Sequence, residues 1–206
     1  MWQVVPRVEV KWDEEFRCYD VVVRDPGATV ADYEEGFGRL AAGEVRRAYA
    51  PSCLGCSLCC RGRLPLTSLD VARFQAGGVG AGLSWREWVR RYATVRRAGK
   101  CFDITLRLSS KGVCLFWDEF RGLCGVYSLR PLICRTYFCW PVSWRAEQLR
   151  SRIVNTGEDE LVRLSLFTAA GSARQRNPFA GKRDYRQVLL RDLCSRRLWR
   201  ILTSDT

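Results

Sequence analysis

Residues 53–60 read Cys-Leu-Gly-Cys-Ser-Leu-Cys-Cys, and this stretch decides how the rest of the chain is interpreted. A gap of two residues between successive cysteines lets their thiolates fold around one metal ion or cluster. Four more cysteines follow between residues 114 and 139, which with the first four is enough for one four-thiolate site with spare thiols or for two sites. The candidate metal ligands are therefore Cys53, Cys56, Cys59, Cys60, Cys114, Cys124, Cys134 and Cys139.

The adjacent pair Cys59 and Cys60 has its own constraint. From an extended backbone two neighbouring side chains point in opposite directions, so we expect the two sulfurs to face different sites or one to face the core. Three further cysteines stand alone in the sequence, and free cysteine packs as a small hydrophobic residue. We expect Cys18, Cys101 and Cys194 to be buried packing residues.

The chain has 11 cysteines and no histidine. The absence of histidine excludes mixed cysteine–histidine zinc sites, Ser-His-Asp triads and the HExxH motif, so a metal site must be built mainly from thiolates. The first 15 residues alternate apolar and charged positions and lack the apolar segment of a signal peptide. We therefore expect a cytoplasmic location, reduced thiols and no membrane association.

The 206 residues, 47% of them hydrophobic, predict a folded chain of mixed α+β class. Residues 1–50 are expected to form an N-terminal β-hairpin plus a helix, residues 51–145 a small cysteine-rich metal-binding core of loop, β-hairpin and short helices, and residues 146–206 a C-terminal helical segment. We expect these three segments to form one compact domain.

Hydrophobic periodicity and capping signals place the individual elements. Strands are predicted at 7–12, 16–23, 101–108, 113–117 and 123–127. Helices are predicted at 29–49, from Thr67 through Phe74, at 85–97, 131–138, 157–170 and 184–203.

The cysteine pattern resembles a known family, the YkgJ-type CxxCxxCC proteins, which are described as zinc- or iron-chelating. The resemblance begins with residues 53–61, continues through 66–70 and Arg73, and resumes in 114–118, 122–127 and 130–135. The sequence departs from the family pattern at Ser57, where Gly is usual, and at Leu115, where Pro is frequent. Cys139 stands where the family more often has aromatic residues and Pro.

The resemblance implies a thiolate-bound metal centre but no settled reaction. Flagellin lysine N-methylases are similar in the cysteine motif and are associated with an iron–sulfur cluster, so a [4Fe–4S] cluster is favoured over Zn²⁺ as the cofactor. A methylase-like, protein-modifying enzyme is one alternative that follows. The residues alone show no paired carboxylates and no nucleophile–base arrangement, so enzyme status, protein substrate and redox partner stay open.

Cationic side chains beside the ligands would offset the negative charge of a four-thiolate centre and donate hydrogen bonds to sulfur. The candidates lie in or near the cysteine motifs, and a tyrosine follows one of the ligands closely. These neighbouring residues are Arg61, Arg130, Arg135 and Tyr127.

A net charge of +12 gives a second hypothesis, a structural metal module on a protein that binds RNA, the ribosome or another anionic partner. Arginine suits phosphate because its planar fork of donors binds two oxygens at once. One set of arginines is predicted on a face of the 85–97 helix and the other on the last helix. The candidate nucleic-acid contacts are Arg86, Arg90, Arg97, Arg196, Arg197 and Arg200.

Overall fold

The computed structural model describes residues 5–42, 56–137, 139–167 and 177–204. Helices and short antiparallel strand pairs alternate along the chain, which confirms the α+β class. The chain divides into two compact units. The first unit comprises Met1–Ala48, Arg135–Ile153 and Gly181–Thr206, and the second comprises Tyr49–Cys134 and Val154–Ala180.

The first unit begins with the predicted hairpin. Strand β1 (Val8–Asp13) pairs antiparallel with β2 (Cys18–Val23), with Val8 opposite Val23. All six residues of β2 are buried, and the turn is closed by Asp13, whose Oδ1 accepts a hydrogen bond from the Phe16 amide at 2.9 Å. The N-terminal β-hairpin is thus confirmed.

Helix α1 (Val30–Ala42) follows the hairpin and packs against β1. Its start is fixed by Thr29 and Asp32, because the Asp32 carboxylate accepts the Thr29 amide and hydroxyl, each at 2.7 Å. The predicted helix extended to residue 49, and residues 43–49 lie outside the described part of the chain.

The C-terminal part of the first unit differs from the single helix predicted at 184–203. It consists of a 3-10 turn (Tyr185–Gln187), helix α6 (Leu190–Leu193) and helix α7 (Arg196–Thr203). The physical reason is local capping, since the Ser195 hydroxyl accepts the Leu198 amide at 3.2 Å and starts a new helix. Helix α7 packs on β2 through its buried face.

The second unit contains helices α2 (Ser68–Ala76) and α3 (Trp85–Tyr92), each opened by a complete capping box. Strand β3 (Ala93–Ala98) then pairs antiparallel with β4 (Cys101–Leu106). The other edge of β4 receives the segment after the cysteine motif, because the Leu66 amide donates to the Ile104 carbonyl at 3.0 Å.

The prediction of one helix over 85–97 is wrong beyond Tyr92. Ala93 has extended backbone angles (φ −120°, ψ 164°), and the β-branched residues Thr94 and Val95 pair with Thr105 and Ile104 across the sheet. Pairing with β4 outweighs the weak continuation of the helical pattern.

Shorter elements follow the second sheet. Strands β5 (Trp117–Asp118) and β6 (Leu123–Cys124) form a small hairpin, much shorter than the strands predicted at 113–117 and 123–127. Helix α4 (Leu132–Arg135) is the beginning of the helix predicted at 131–138.

Helix α5 (Trp144–Leu166) begins 13 residues earlier than predicted. The Ser143 hydroxyl accepts the Ala146 amide at 3.2 Å and starts the helix. Gly157 lies inside this helix. The position requires glycine, because a Cβ there would lie 2.6 Å from the Thr67 side chain and 2.9 Å from the Phe179 ring. The glycine is a packing requirement and not the helix start that the sequence indicated.

The core of the second unit joins α2, α3, β4 and the second half of α5. The Phe74 ring stacks on Trp88 and Phe116, with ring centroids 5.4 Å and 5.3 Å apart. Cys114 is buried in this core, and Cys60 and Cys134 pack against it. Within the described ranges, no helix combines the length and the apolar character needed to cross a lipid bilayer.

Candidate metal centre

Five of the predicted ligands come from four separate segments of the second unit. Cys59 and Cys60 lie in a 3-10 turn (Cys59–Arg61), Cys114 precedes the small hairpin, Cys124 ends β6 and Cys134 lies in α4. Cys56 is half-buried just before the turn, and Cys53 lies outside the described residues.

Backbone hydrogen bonds hold these segments together. The Cys114 amide donates to the Cys60 carbonyl at 2.7 Å, which joins the cysteine motif to the segment before the hairpin. Trp117 pairs with Cys124 across the hairpin, and its amide donates to the Cys114 carbonyl at 2.9 Å. The fold thus brings Cys60, Cys114 and Cys124 to one neighbourhood.

The adjacent thiols interact with each other directly. A hydrogen bond from the Cys60 thiol, with help from backbone donors and the Arg130 charge, lowers the pKa of Cys59 to about 6. The same hydrogen bond, burial and the neighbouring thiolates raise the pKa of Cys60. Cys60 packs against the core and Cys59 is exposed, in keeping with the expectation that one of the two faces the core, and the tight 3-10 turn keeps the two thiols in contact.

Two further thiols of the group, those of Cys114 and Cys134, resist ionisation. Burial raises the pKa of Cys114 to about 11, with further contributions from Cys124 and Cys59. Burial also raises the pKa of Cys134, and the charges of Cys59, Cys114 and Asp70 act in the same direction. A thiolate within this group therefore lies close enough to disfavour ionisation at Cys60, Cys114 and Cys134.

This donor set fits a thiophilic cation in its chemistry, because a bound metal removes the mutual repulsion of the thiolates. Cys59 and Cys60 with Cys114 and Cys134 supply the sulfur donors that zinc or iron prefers. Among the residues that the structure describes, no group of three or more Cys, Asp or Glu side chains is already arranged at positions that would hold an ion.

Two of the predicted neighbouring residues lie beside the thiols. The Arg130 guanidinium stacks over the Tyr127 ring at 3.8 Å and donates to the Tyr127 carbonyl at 3.2 Å. Its charge contributes to the lowered pKa of Cys59 and opposes the rise in the pKa of Cys134. Arg61 is exposed and donates to the Lys111 carbonyl at 3.3 Å.

Two other predicted residues belong to the first unit. Arg135 forms an ion pair with Glu34 of α1, and its guanidinium lies 5.8 Å from the centre of the Tyr185 ring. Burial lowers the pKa of Arg135 to about 10. Cys139 is half-buried in the same unit. Both assignments to the metal centre stay predictions.

The isolated cysteines divide between buried and exposed positions. Cys18 is buried and Cys194 is half-buried. Burial raises the pKa of the Cys18 thiol, and it raises the pKa of the Cys194 thiol to about 11. Cys101 is exposed at the start of β4, so the expectation that it packs in the core is wrong.

The predicted arginine contacts lie on three elements. Arg86 and Arg90 lie on α3, whereas Arg97 lies on β3, which corrects their placement on one helix face. Arg86 also donates to the Ser165 carbonyl at 3.3 Å near the end of α5. Arg196, Arg197 and Arg200 are exposed on α7, as predicted for the last helix.

Sequence reasoning missed the importance of Asp70. The sequence indicated only a capping residue for a short helix, but its carboxylate also accepts the Leu132 amide at 2.7 Å, at the start of α4. The signal in the sequence was an acidic residue, three positions after Thr67, that stands close to the apolar residues Leu66 and Leu69. An acidic residue among apolar neighbours indicates a buried carboxylate that needs hydrogen-bond donors.

Comparison with known proteins gives one finding. The CxxCxxCC family, described as "Putative zinc- or iron-chelating domain", matches residues 52–155, about half of the chain. No curated protein and no solved structure matches. The matched range contains the cysteine motif, all five gathered thiols and Arg130. The chain therefore belongs to the CxxCxxCC family of zinc- or iron-chelating domains.

Proposed function

We propose that this protein is a metalloprotein whose all-cysteine centre holds a [4Fe–4S] cluster in preference to zinc. The observation that supports a thiolate centre is the convergence of Cys59, Cys60, Cys114, Cys124 and Cys134 from four segments of one compact unit, and the similarity of the motif to the iron–sulfur-associated methylases favours the cluster over zinc. Such a set exceeds what burial of free thiols requires. The cofactor would supply redox or Lewis-acid chemistry, and the chain's own part is to hold it and exclude water.

The chain contributes an asymmetric setting for that centre. Cys114 and Cys134 are bordered by the apolar core, whereas Cys59 is exposed on the outer side. Arg130 places a positive charge near Cys59 and Cys134, which stabilises the thiolate form of both. One side of the centre is therefore open to a partner or substrate, and the other is closed by packing.

Anaerobic purification followed by iron, sulfide and zinc analysis tests this proposal. A brown protein with about four iron and four sulfide per chain and broad absorption near about 400 nm is expected. Replacement of Cys114 by Ser should abolish the colour, whereas replacement of Cys101, which is exposed and not among the five gathered thiols, by Ser should preserve it. A colourless protein with stoichiometric zinc would overturn the cluster and retain the thiolate site.

A second candidate function is a structural metal module on an RNA- or ribosome-binding protein. Helix α7 favours it, because Arg196, Arg197 and Arg200 are exposed while Leu198 and Leu202 on the same helix are buried. In the described part of the chain, no acidic side chain forms an ion pair with these three arginines. They are therefore open to phosphate.

Salt dependence tests this second candidate. The affinity for a single-stranded RNA should fall steeply as the salt concentration is raised. Replacement of the three α7 arginines by Gln should reduce the slope of log affinity against log salt concentration by up to roughly three. Binding that is insensitive to salt would contradict it. The methylase-like alternative and the cytoplasmic location stay predictions.

A further inference from the structure

Asp70 is a fully buried carboxylate in the first turn of α2, with 0% of its surface exposed. Its Oδ2 accepts hydrogen bonds from the Thr67 amide at 3.0 Å and the Thr67 hydroxyl at 2.9 Å. These contacts complete the capping box of α2 and account for one of its two oxygens.

The other oxygen acts on a different segment. Oδ1 accepts the Leu132 amide at 2.7 Å, a contact between residues 62 positions apart. Leu132 is the first residue of α4, and Cys134 lies two residues further along the same helix. One carboxylate therefore joins the beginnings of α2 and α4.

Helix α3 provides an internal comparison. Its capping box has the same pattern, with Glu87 Oε2 accepting the Ser84 amide at 2.8 Å and hydroxyl at 2.6 Å, but Glu87 is exposed. Capping alone therefore does not require a buried carboxylate. Because burial of a charged group is unfavourable unless its acceptor positions are filled, the contact with Leu132 explains why Asp70 lies inside the core.

We infer that Asp70 is a positioning residue for the metal centre, which fixes the start of α4 against α2 and thereby places the Cys134 thiol. The inference rests on the proposed metal-binding function and adds to it a residue that is not itself a ligand. Groups that orient metal ligands typically change metal affinity by roughly 10- to 100-fold when they are removed. The same range is expected here.

Titration of the metal-free 206-residue chain with Co²⁺ under reducing conditions, monitored by thiolate-to-cobalt absorption, tests the inference. Asp70→Asn keeps the size of the side chain but has one acceptor oxygen, so it cannot serve both Thr67 and Leu132. We expect Co²⁺ to bind roughly 10- to 100-fold more weakly than to the wild type.

Two control variants separate positioning from capping. Thr67→Val removes the hydroxyl of the same buried capping box and leaves the Asp70–Leu132 contact, so Co²⁺ affinity should equal that of the wild type even if the protein is less stable. Glu87→Gln alters the exposed box of α3 and should also leave the affinity unchanged. A Thr67→Val protein that binds as weakly as Asp70→Asn would overturn the inference.

The remaining outcomes are also decisive. Wild-type affinity in folded Asp70→Asn overturns the role of Asp70 alone, whereas a metal-free wild-type protein that binds neither Co²⁺ nor, on reconstitution with iron and sulfide, an iron–sulfur cluster overturns the proposed function itself. If Asp70→Asn does not fold, hydrogen exchange of the wild type replaces it. Added Co²⁺ should then slow exchange at residues 67–71 and 132–135 together, and protection confined to 132–135 would overturn the inference.

Discussion

The two units balance their buried charges in opposite ways. In the first unit, Asp20 of β2 is nearly fully buried and is bound by Arg145 of α5, whose Nε lies 2.7 Å from Oδ1. Burial acts to raise the pKa of Asp20, but hydrogen bonds from Arg145 and Ser143 hold it below its usual value. Arg145 also donates to the carbonyls of Ile201 and Ser204.

The second unit instead gathers like charges. Its thiolates oppose one another's ionisation, and Arg130 is the cation that acts on both Cys59 and Cys134. Buried Asp20 of the first unit is neutralised by an arginine of the same unit, whereas the gathered thiols of the second unit would be balanced by the metal of the proposed centre.

Removal of the metal should have the largest effect. Chelation under reducing conditions should destabilise the second unit, by roughly 10 kcal/mol if the site behaves as structural thiolate sites do. Hydrogen exchange should accelerate in β5, β6 and α4, because these elements carry or adjoin the ligands. Exchange in β1 and β2 should stay slow.

The comparison itself supplies the control for this experiment, since both units are measured in one sample. If hydrogen exchange accelerates equally in β2 and in β6 after chelation, the first unit also depends on the metal, which contradicts the proposal that its buried charges are balanced by its own side chains. Re-addition of the metal should restore slow exchange in the second unit, which excludes irreversible thiol oxidation as the cause.

Arg145→Met should produce the next largest effect. It leaves Asp20 buried without its cation, which costs about 3–5 kcal/mol, measured as the free energy of unfolding in urea. The double variant Asp20→Asn with Arg145→Met should recover much of that loss, because no uncompensated charge is left.

Arg24→Met is the matched control in the same hairpin. Arg24 pairs with Glu9 at 2.8 Å, but both side chains are partly exposed, so its loss should cost about 0.2–1 kcal/mol. A cost at Arg145 as small as that at Arg24 would show that burial of the Asp20 pair has no energetic importance.

The sequence predicted those parts of this contrast that depend on local signals. The hairpin at 8–23 follows from alternation, and the starts of α2 and α3 follow from Thr67 with Asp70 and Ser84 with Glu87. In each case neighbouring residues make the decisive contacts, so spacing alone is informative.

Features that depend on distant contacts were missed. The α3–β3 boundary is set by pairing with β4, and Gly157 is explained only by the proximity of Thr67 and Phe179. The cysteine ligand list could be written from spacing, but the joining of Cys60 to Cys114 through a 2.7 Å backbone hydrogen bond could not. Tertiary packing decides these features, and no local pattern encodes it.

Glu158 gives a third prediction, which concerns pH. Burial raises the pKa of this α5 carboxyl to about 7, with Asp103 adding to the effect, while the Ile104 amide at 2.6 Å and Arg63 oppose it. The folded state thus binds the proton more tightly than the unfolded state. Its contribution to stability is full below about pH 4.5 and is lost as pH rises through 7.

Glu158→Gln should remove this pH dependence, worth on the order of 2 kcal/mol, while its amide oxygen still accepts the Ile104 amide. Urea unfolding between pH 5 and about pH 8 measures it. Glu147→Gln, at an exposed position on the same helix, matches the change in net charge. If Glu158→Gln keeps the wild-type slope, the acid-stabilised carboxyl is not Glu158.

Substitution of Arg130 tests whether a side chain of the second unit helps to balance the thiolate charge. Its expected effect, on Co²⁺ affinity, is the smallest of those considered. Arg130→Gln removes the charge near Cys59 and Cys134 and should weaken Co²⁺ binding by about 1 kcal/mol, roughly fivefold. Arg130→Lys keeps the charge but loses the planar stacking on Tyr127, 3.8 Å away, so an intermediate affinity is expected. Arg61→Gln, at an exposed arginine near the same turn, should bind Co²⁺ as the wild type does. If the Arg130→Gln and Arg61→Gln proteins bind Co²⁺ equally well, Arg130 does not help to balance the thiolate charge. The bound metal would then be the cation that balances the thiols of the second unit, whereas the first unit balances Asp20 with its own Arg145.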